Sequence, residues 1–430
     1  MFKVPELRKR IFFTLLVIFL YRLGGHVPTP GVDTSVLRNF LDSDSGGLFG
    51  LFDMIVGGSF GRFAVFALGI MPYITASIIM QLMGTIFPAI HKLQREGAEG
   101  RKKLTQYTRY GTVIFGAIQA IGISIFISTV EGGTAVIPEM RGFLFMFTTV
   151  VSLTTGTVLT MWLGEQITAR GVGNGISLLI FIGIVAEMPM AIINQVRMIL
   201  VDRGHIVTAL AILGIVLVAT VAVVIMTQAM RRIPIQTPKK VVGTKMYAGQ
   251  NTVLPLRLNM AGVIPIIFAS SIMTFPGMIV RSFAGAETSP FLEDLFRVLG
   301  PGGIIYSVFF GLLIIFFTYF YTAIVFNPVD IADNLKRQGG FIPGIRPGKK
   351  TAEYLENVLT RITLPGSVFL ALIAVLPMML MGPMGGFYFG GTSILIVVGV
   401  ALDTLQQLES HLQMRNYEGF MKKGTLRGRR

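Results

Sequence analysis

The sequence predicts an all-α membrane protein of ten transmembrane helices in two inverted five-helix halves, with a short re-entrant helix. Three observations carry the prediction. Only 14% of the 430 residues are charged and mean hydropathy is +0.69, whereas a soluble chain carries about 25% charged residues. Long apolar runs alternate with short basic connections, and at about 20 apolar residues per crossing the length accommodates roughly ten helices. The excess of 37 Lys and Arg over 22 Asp and Glu is concentrated in alternate connections. A soluble enzyme is excluded, and the absence of Cys excludes a secreted disulfide scaffold and any thiol chemistry.

The ten apolar segments fall at 11–23, 63–87, 111–130, 143–163, 175–193, 206–227, 259–280, 302–326, 362–381 and 389–402. The first and last are short for a crossing and are expected to extend into their flanks. The basic start followed by an apolar run has the look of a signal peptide, but no small-residue cleavage site follows and nine more segments do. It is expected to be a retained first span.

Ten spans put both termini on one side, and charge tests this independently. The N-terminus, the connections after spans 2, 4, 6 and 8 and the C-terminal tail hold 29 of the Lys and Arg, and the opposite side holds eight. Acids divide evenly, 11 to each side. The basic side is expected to be cytoplasmic, with both termini there. Five spans per half is odd, so related halves, 1–203 and 204–430, must be inverted relative to each other.

Several features depart from an ordinary span. The stretch 46–62, GGLFGLFDMIVGGSFGR, is short, Gly-rich and interrupted by Asp53, and a mid-bilayer carboxylate costs about 2.5–3.5 kcal/mol. Either it lies on the outer surface or it folds back to fill a cavity. Pro72, Gly156, Pro265, Pro276, Pro365 and Pro377 interrupt spans, a pattern that ordinary kinked packing also explains. The cytoplasmic connections 91–109, 228–258 and 327–361 and the basic tail 408–430 are longer than joining helices requires. Their basic charge suits a docking surface for an RNA-rich or acidic partner.

The missing chemistry is equally informative. No predicted span has Asp or Glu at its middle; Glu165, Glu187 and Asp403 lie near span ends. Ion-coupled transporters keep such a carboxylate as the coupling site. The four His are scattered, so neither a metal cluster nor a Ser–His pair is indicated. The glycine patterns at 344–351 and 171–175 lack the spacing or strand context of nucleotide sites and read as turns. No cofactor is expected, and the chain is not read as an enzyme. A second reading, a small-solute secondary transporter with inverted repeats, stays open on these grounds.

Six segments resemble one known family over essentially the whole chain: LGIMPYITASIIMQL (68–82), EGRKKLTQYTRYGT (99–112), WLGEQITARGVGNGISLLIF (162–181), LPLRLNMAGVIPIIFASSI (254–272), FNPVDIADNLKRQGGFIPGIRPG (326–348) and FYFGGTSILIVV (387–398). The family is that of the SecY protein-conducting channels, and the loop composition resembles its bacterial branch. The resemblance implies an hourglass pore between inverted halves, a passive channel for unfolded secretory proteins and for lateral insertion of membrane proteins. It places a pore ring on Ile70, Ile74, Ile176, Ile180, Ile267 and Ile396, positions that composition alone would have turned toward lipid. It makes 46–62 a plug, with Leu48, Phe49, Phe52, Asp53, Ile55, Gly57 and Gly58. It sets a lateral gate between spans 2 and 7, whose Thr75, Gln81, Ser270 and Ser271 would hydrogen-bond across the seam. It assigns docking of the SecA ATPase or the ribosome, its rRNA and protein, to Arg346 with Arg231, Arg232, Lys239, Lys240 and Arg257. Further implied partners are SecE-like and SecG-like subunits, signal-peptide-bearing polypeptides and membrane lipids, in a bacterial plasma (inner) membrane. One tension stands: Ile176 falls at the cytoplasmic start of span 5, so that span begins earlier or the ring lies deep in a funnel.

Overall fold

The structure, a computed structural model, describes residues 5–43, 48–129, 134–201, 205–236, 240–242, 245–247, 251–284, 303–384 and 391–423. Its elements in order are α1 (Pro5–Gly24), α2 (Thr34–Ser43), α3 (Leu48–Val56), α4 (Met71–Ile86), α5 (Pro88–Arg95), α6 (Ala98–Thr129), α7 (Phe143–Arg170), α8 (Gly175–Val201) and α9 (His205–Gln228). Strands β1 (Met230–Gln236), β2 (Lys240–Val242), β3 (Lys245–Tyr247) and β4 (Asn251–Arg257) follow. The chain continues with α10 (Ile264–Ala284), α11 (Ile304–Val325), α12 (Pro328–Arg337), α13 (Lys349–Met384) and α14 (Gly391–Lys423).

All ten predicted segments fall on helices. Among the described residues, α6, α7, α8, α9, α11, α13 and α14 are each long and apolar enough to cross a membrane. The pair α4–α5 passes only as one broken span, bent by 107°, because Pro88 cannot donate to the helix it would otherwise continue. Helix α1 carries Arg8, Lys9, Arg10 and Arg22 within its two ends, which lower its mean hydropathy without shortening it.

The segment 63–87 is helical only from Met71. Residues 63–69 fold instead as successive turns, with the amides of Phe63, Ala67 and Gly69 donating to Phe60, Ala64 and Phe66 at 2.8 Å. The backbone of this stretch pairs with residues 27–29: Thr29 N–H donates to Phe63 O (2.8 Å) and Val65 N–H to Val27 O (2.9 Å). In the low dielectric of a membrane interior, irregular backbone persists only where its polar groups are satisfied this way.

The long basic connections are not irregular either. Helix α6 begins at Ala98, α13 at Lys349, and α14 runs to Lys423, because the flanks are rich in Lys, Arg, Glu, Gln and Leu, strong helix formers. The connection 228–258 adds β-structure to the otherwise helical chain: β1 pairs with β4 antiparallel, Ile233 opposite Leu254 and Arg231 opposite Leu256. Gln236 and Phe341 exchange both backbone hydrogen bonds at 2.9 Å, so the loop 338–348 docks on this hairpin. Ile233, Leu256, Ile342, Leu355 and Leu359 form an apolar cluster beneath it, separate from the main core. The two loops are therefore one unit.

Candidate functional site

Five ring positions, Ile70, Ile74, Ile180, Ile267 and Ile396, are between 2 and 6% exposed and belong to one core cluster. Ile176 is half-buried and packs against it. The six come from α4 and its N-cap, α8, α10 and α14, so the cluster closes where four helices meet. β-Branched isoleucines are stiff and offer no hydrogen-bonding group, so a constriction they line repels water and ions.

The depth of the ring follows from how α8 begins. The turn 171–174 ends α7, and Asn174 Oδ1 accepts from the amides of Ile176 and Ser177 (3.1 and 3.4 Å), capping α8. Gly175 N–H donates to Thr168 Oγ1 (2.9 Å), and a Cβ at Gly175 would strike the Gly164 carbonyl. Helix α8 thus starts beside Gly164, six residues or about 9 Å inside the end of α7 at Arg170. Ile176 thus opens α8 and, half-buried, packs against the cluster that holds the other five.

The segment expected to be the plug forms a nine-residue helix, α3. The side chains of Leu48 and Phe49 lie outside the described residues. Phe52 is fully buried and meets Phe60 edge-on at 5.4 Å. Val56 packs on Gly69, the residue before Ile70; a Cβ there would lie 3.1 Å from Val56 Cγ1. Ser393 of α14 donates to Met54 Sδ at 3.8 Å. At the end of α3 the chain turns through Gly57 and Gly58, φ +74° and +73°, which side chains other than glycine rarely adopt. A Cβ on Gly183 of α8 would lie 2.5 Å from the Ile55 carbonyl, and one on Gly57 would lie 2.8 Å from Gly183 Cα. Two glycines facing each other let the plug seat backbone to backbone on α8.

Charged groups hold the seat. Arg22 donates to Gly57 O (3.1 Å), and Arg62 pairs with Glu187 of α8 (3.4 Å) while donating to His26 Nε2 (2.6 Å). Asp53 Oδ1 accepts from the amides of Phe60 and Gly61, both 2.9 Å, fastening the plug to the turn that follows it.

Burial pushes the Asp53 carboxyl up to about 6; the Gly61 amide opposes the rise and Glu187 adds to it. A seated plug therefore binds this proton more tightly than one released into water, where the carboxyl titrates near 3.9. The resulting preference for the seated state is complete below about pH 4 and is lost as pH rises through about 6. Ion leak through resting protein in planar bilayers should rise between pH 4.5 and 7.5. Asp53→Asn, which keeps the acceptor and removes the proton, should flatten that dependence. A leak that still rises with pH in Asp53→Asn would remove Asp53 as its source.

The lateral seam differs from expectation. Helix α10 packs against α4, but Thr75 donates to Met71 O (3.1 Å), Gln81 to Ser77 Oγ (3.2 Å) and Ser270 to Ile267 O (2.9 Å), each within its own helix. Only Ser271 crosses, from Ile267 O (2.8 Å) to Met71 Sδ (3.8 Å). Ser and Thr in helices reach the carbonyl one turn back at no cost in solvation, and this local bond wins over a partner across a seam. Among the described residues the seam is held by apolar packing and one weak sulfur contact.

Arg231, Arg232, Arg257 and Arg346 are all exposed. The inward alternation of Ile233 and Ile235 fixes the hairpin orientation. Arg346 sits in a turn bounded by Gly344 and Gly348 (φ +80° and +102°), its carbonyl accepting from Thr351 Oγ1 at 3.0 Å. Lys240 opens β2, opposite Tyr247; Lys239 lies outside the described residues. The cluster under the hairpin escaped the sequence reading, although the alternation Ile233–Ile235 and Leu254–Leu256 is a strand signal.

A bundle of long apolar helices that meet at a buried isoleucine cluster, with the short helix α3 packed against it, defines a multi-pass membrane protein. Residues 64–405 match the SecY family model. The chain is 45% identical to the protein translocase subunit SecY of Thermus thermophilus, over 99% of this chain and 98% of that one. It is 48% identical to that of Streptomyces griseus over 98% of each, and 44% identical to that of Escherichia coli over 98% and 96%. Among solved structures it resembles a protein-conducting channel (TM-score 0.67, 18% identity, 99% and 98% coverage) and Sec61 in the canine ribosome-channel complex (0.65, 17%, 99% and 98%). The chain belongs to the SecY family.

Proposed function

We propose that this protein is the pore-forming subunit of a bacterial protein translocase, a passive channel for unfolded secretory proteins that also releases apolar segments sideways into lipid. The observation that carries the reading is that six isoleucines from four helices meet in one apolar cluster, five buried and Ile176 packed against them, with the short helix α3 lying against α8 where Gly57 faces Gly183. An ion-coupled solute carrier needs a titratable coupling site at mid-membrane; a polypeptide channel needs a pliable, unbonded gasket, which branched apolar side chains supply.

The halves 1–203 and 204–430 act as inverted clamps about the ring, in the bacterial inner membrane with both termini cytoplasmic. The seam between α4 and α10, lined by Thr75, Gln81, Ser270 and Ser271, is the exit to lipid. Energy comes from partners, a SecA-like ATPase or a ribosome, docked on the unit formed by 228–258 and 327–361 through Arg231, Arg232, Lys239, Lys240, Arg257 and Arg346. SecE-like and SecG-like subunits complete the complex.

The test is protease protection of an unfolded, signal-bearing precursor added to proteoliposomes holding this chain, a SecE-like subunit, SecA and ATP. ATP-dependent protection is expected; its absence with correctly inserted protein would overturn the reading. In the same assay Arg346→Glu should lower protection about tenfold, since reversing one exposed contact to a charged partner changes binding by about 1–2 kcal/mol. Undiminished SecA-driven protection would remove Arg346 from the docking surface.

A further inference from the structure

A two-stranded hairpin leaves its two outer edges unpaired, and each row of free N–H and C=O groups is a template for a third strand. In β1 and β4 the phase of those rows is fixed by two contacts. Gln236 and Phe341 exchange both backbone bonds at 2.9 Å, so the groups of Gln236 point away from β4. Leu258 N–H donates to Ala229 O (2.9 Å), so odd positions of β1 point toward its partner strand. Neighbouring residues of a strand face opposite ways. The outward groups are therefore those of positions 230, 232, 234 and 236 on one edge and of their partners 257, 255, 253 and 251 on the other.

Each outward row holds one proline. Pro234 stands opposite Val253 and Pro255 opposite Arg232, and both prolines are exposed. Proline has no N–H, and its ring occupies the space where an incoming carbonyl would sit. Beside each proline on its own edge stands an exposed arginine, Arg232 or Arg257, a second feature that discourages strand addition. With Phe341 on Gln236, β1 keeps two consecutive outward donors, at 230 and 232; β4 keeps two, at 251 and 253. Two donors do not hold a strand of ordinary length, about 5–6 residues. The register explains why proline is tolerated at these positions, since an inward proline would break the ladder. It does not explain why proline is there, because β-branched residues suit an exposed strand better. Arg257, which ends β4, lines a cavity of about 470 Å³ with residues of α8, α10 and α14, three of the helices that meet at the isoleucine cluster. The hairpin edge thus borders a way to that cluster.

We propose that Pro234 and Pro255 guard the hairpin against the polypeptide being exported. An open strand edge beside the route of an unfolded chain would capture it through backbone bonds that ignore sequence. Removing one donor from within each edge leaves the chain free to slide past. The guard matters most for exported segments of high β-propensity, such as alternating Val and Thr. This inference rests on the polypeptide-channel reading above and adds the residues that let the channel release strand-forming substrates.

The test uses the full complex with SecA and ATP in proteoliposomes and two precursors that share one signal. One carries a stretch of alternating Val and Thr behind the signal; in the other, proline interrupts that stretch throughout. The unmodified complex is expected to transport both at similar rates. In the double variant Pro234→Thr/Pro255→Thr the strand-forming precursor should slow about fivefold, which is about 1 kcal/mol at 1.4 kcal/mol per factor of ten, the worth of one restored hydrogen bond. The interrupted precursor should hold its rate, which reports an intact hairpin and docking surface. Because the chain contains no Cys, Val253→Cys gives a unique partner for single cysteines placed at successive positions of a stalled precursor. Strand addition brings facing side chains within about 5.5 Å. Cross-linking should therefore recur at every second position in the Pro255→Thr background and show no such period with Pro255 in place. Equal slowing of both precursors, no slowing of either, or the same cross-linking pattern with and without Pro255 would overturn the guard and leave the channel reading standing. Failure of the unmodified complex to transport either precursor would overturn both.

Discussion

Ile267→Asn should open the resting channel to ions. Ile267 is buried in the ring at the third position of α10 that faces the core. The substitution removes a branched apolar contact and places a primary amide in a constriction where none of the other ring side chains can bond to it. An unpaired buried amide costs about 1–3 kcal/mol, and water entering the ring relieves that cost. A wetted constriction no longer excludes ions. Resting conductance in planar bilayers is expected to rise about tenfold or more, since each 1.4 kcal/mol is a factor of ten. Ile396→Asn should do the same from α14. Ile176→Asn should leak less, because that position is only half-buried. The same variants should pass precursors with weakened signals. Conductance and selection unchanged in both Ile267→Asn and Ile396→Asn would show that the ring is not the seal.

Gly183→Val should unseat the plug with the ring intact. The added Cβ would meet the Ile55 carbonyl at 2.5 Å and the Gly57 amide at 3.4 Å, and both are backbone atoms that cannot rotate aside. Overpacking of this kind costs about 1–3 kcal/mol, which shifts the seated fraction by about five- to hundredfold. The chain contains no Cys, so Phe52→Cys supplies a unique reporter at a buried plug position. Its labelling by a water-soluble thiol reagent should quicken by that factor in the Gly183→Val background, and less in Gly183→Ala. Equal labelling rates in all three would mean that the plug does not seat on α8.

The lateral seam shows why the candidate site was only partly legible. Thr75, Gln81, Ser270 and Ser271 do lie on the helices expected, yet all four bond within their own helix and Ser271 alone of them also reaches across. Residue type announces hydrogen-bonding capacity; it does not say which of two nearby carbonyls is closer. The long basic loops show the converse. Their basic charge and turn glycines are plain in the sequence, but the signal that joins them, alternating Ile233–Ile235 and Leu254–Leu256 over a shared apolar cluster, covers three residues per strand and is easily lost beside 20-residue spans. The stretch 46–62 left surface helix and cavity-filler open until the family resemblance favoured the second; the contacts of Met54, Val56 and Gly57 then supplied the physical basis for it.

By itself the sequence determined the solvent this chain lives in, the number of apolar segments and the side on which positive charge gathers. These depend on transfer free energies summed over residues, which are additive along a chain and need no partner. Tertiary structure alone decided which isoleucines turn away from lipid, how deep the ring sits and what seats on it. Ile is equally at home against lipid tails and in a dry constriction, so hydropathy cannot distinguish Ile267 from Ile305. Only the meeting of α4, α8, α10 and α14, permitted by close backbone approaches at Gly164, Gly175 and Gly183, turns these lipid-loving side chains into one buried cluster.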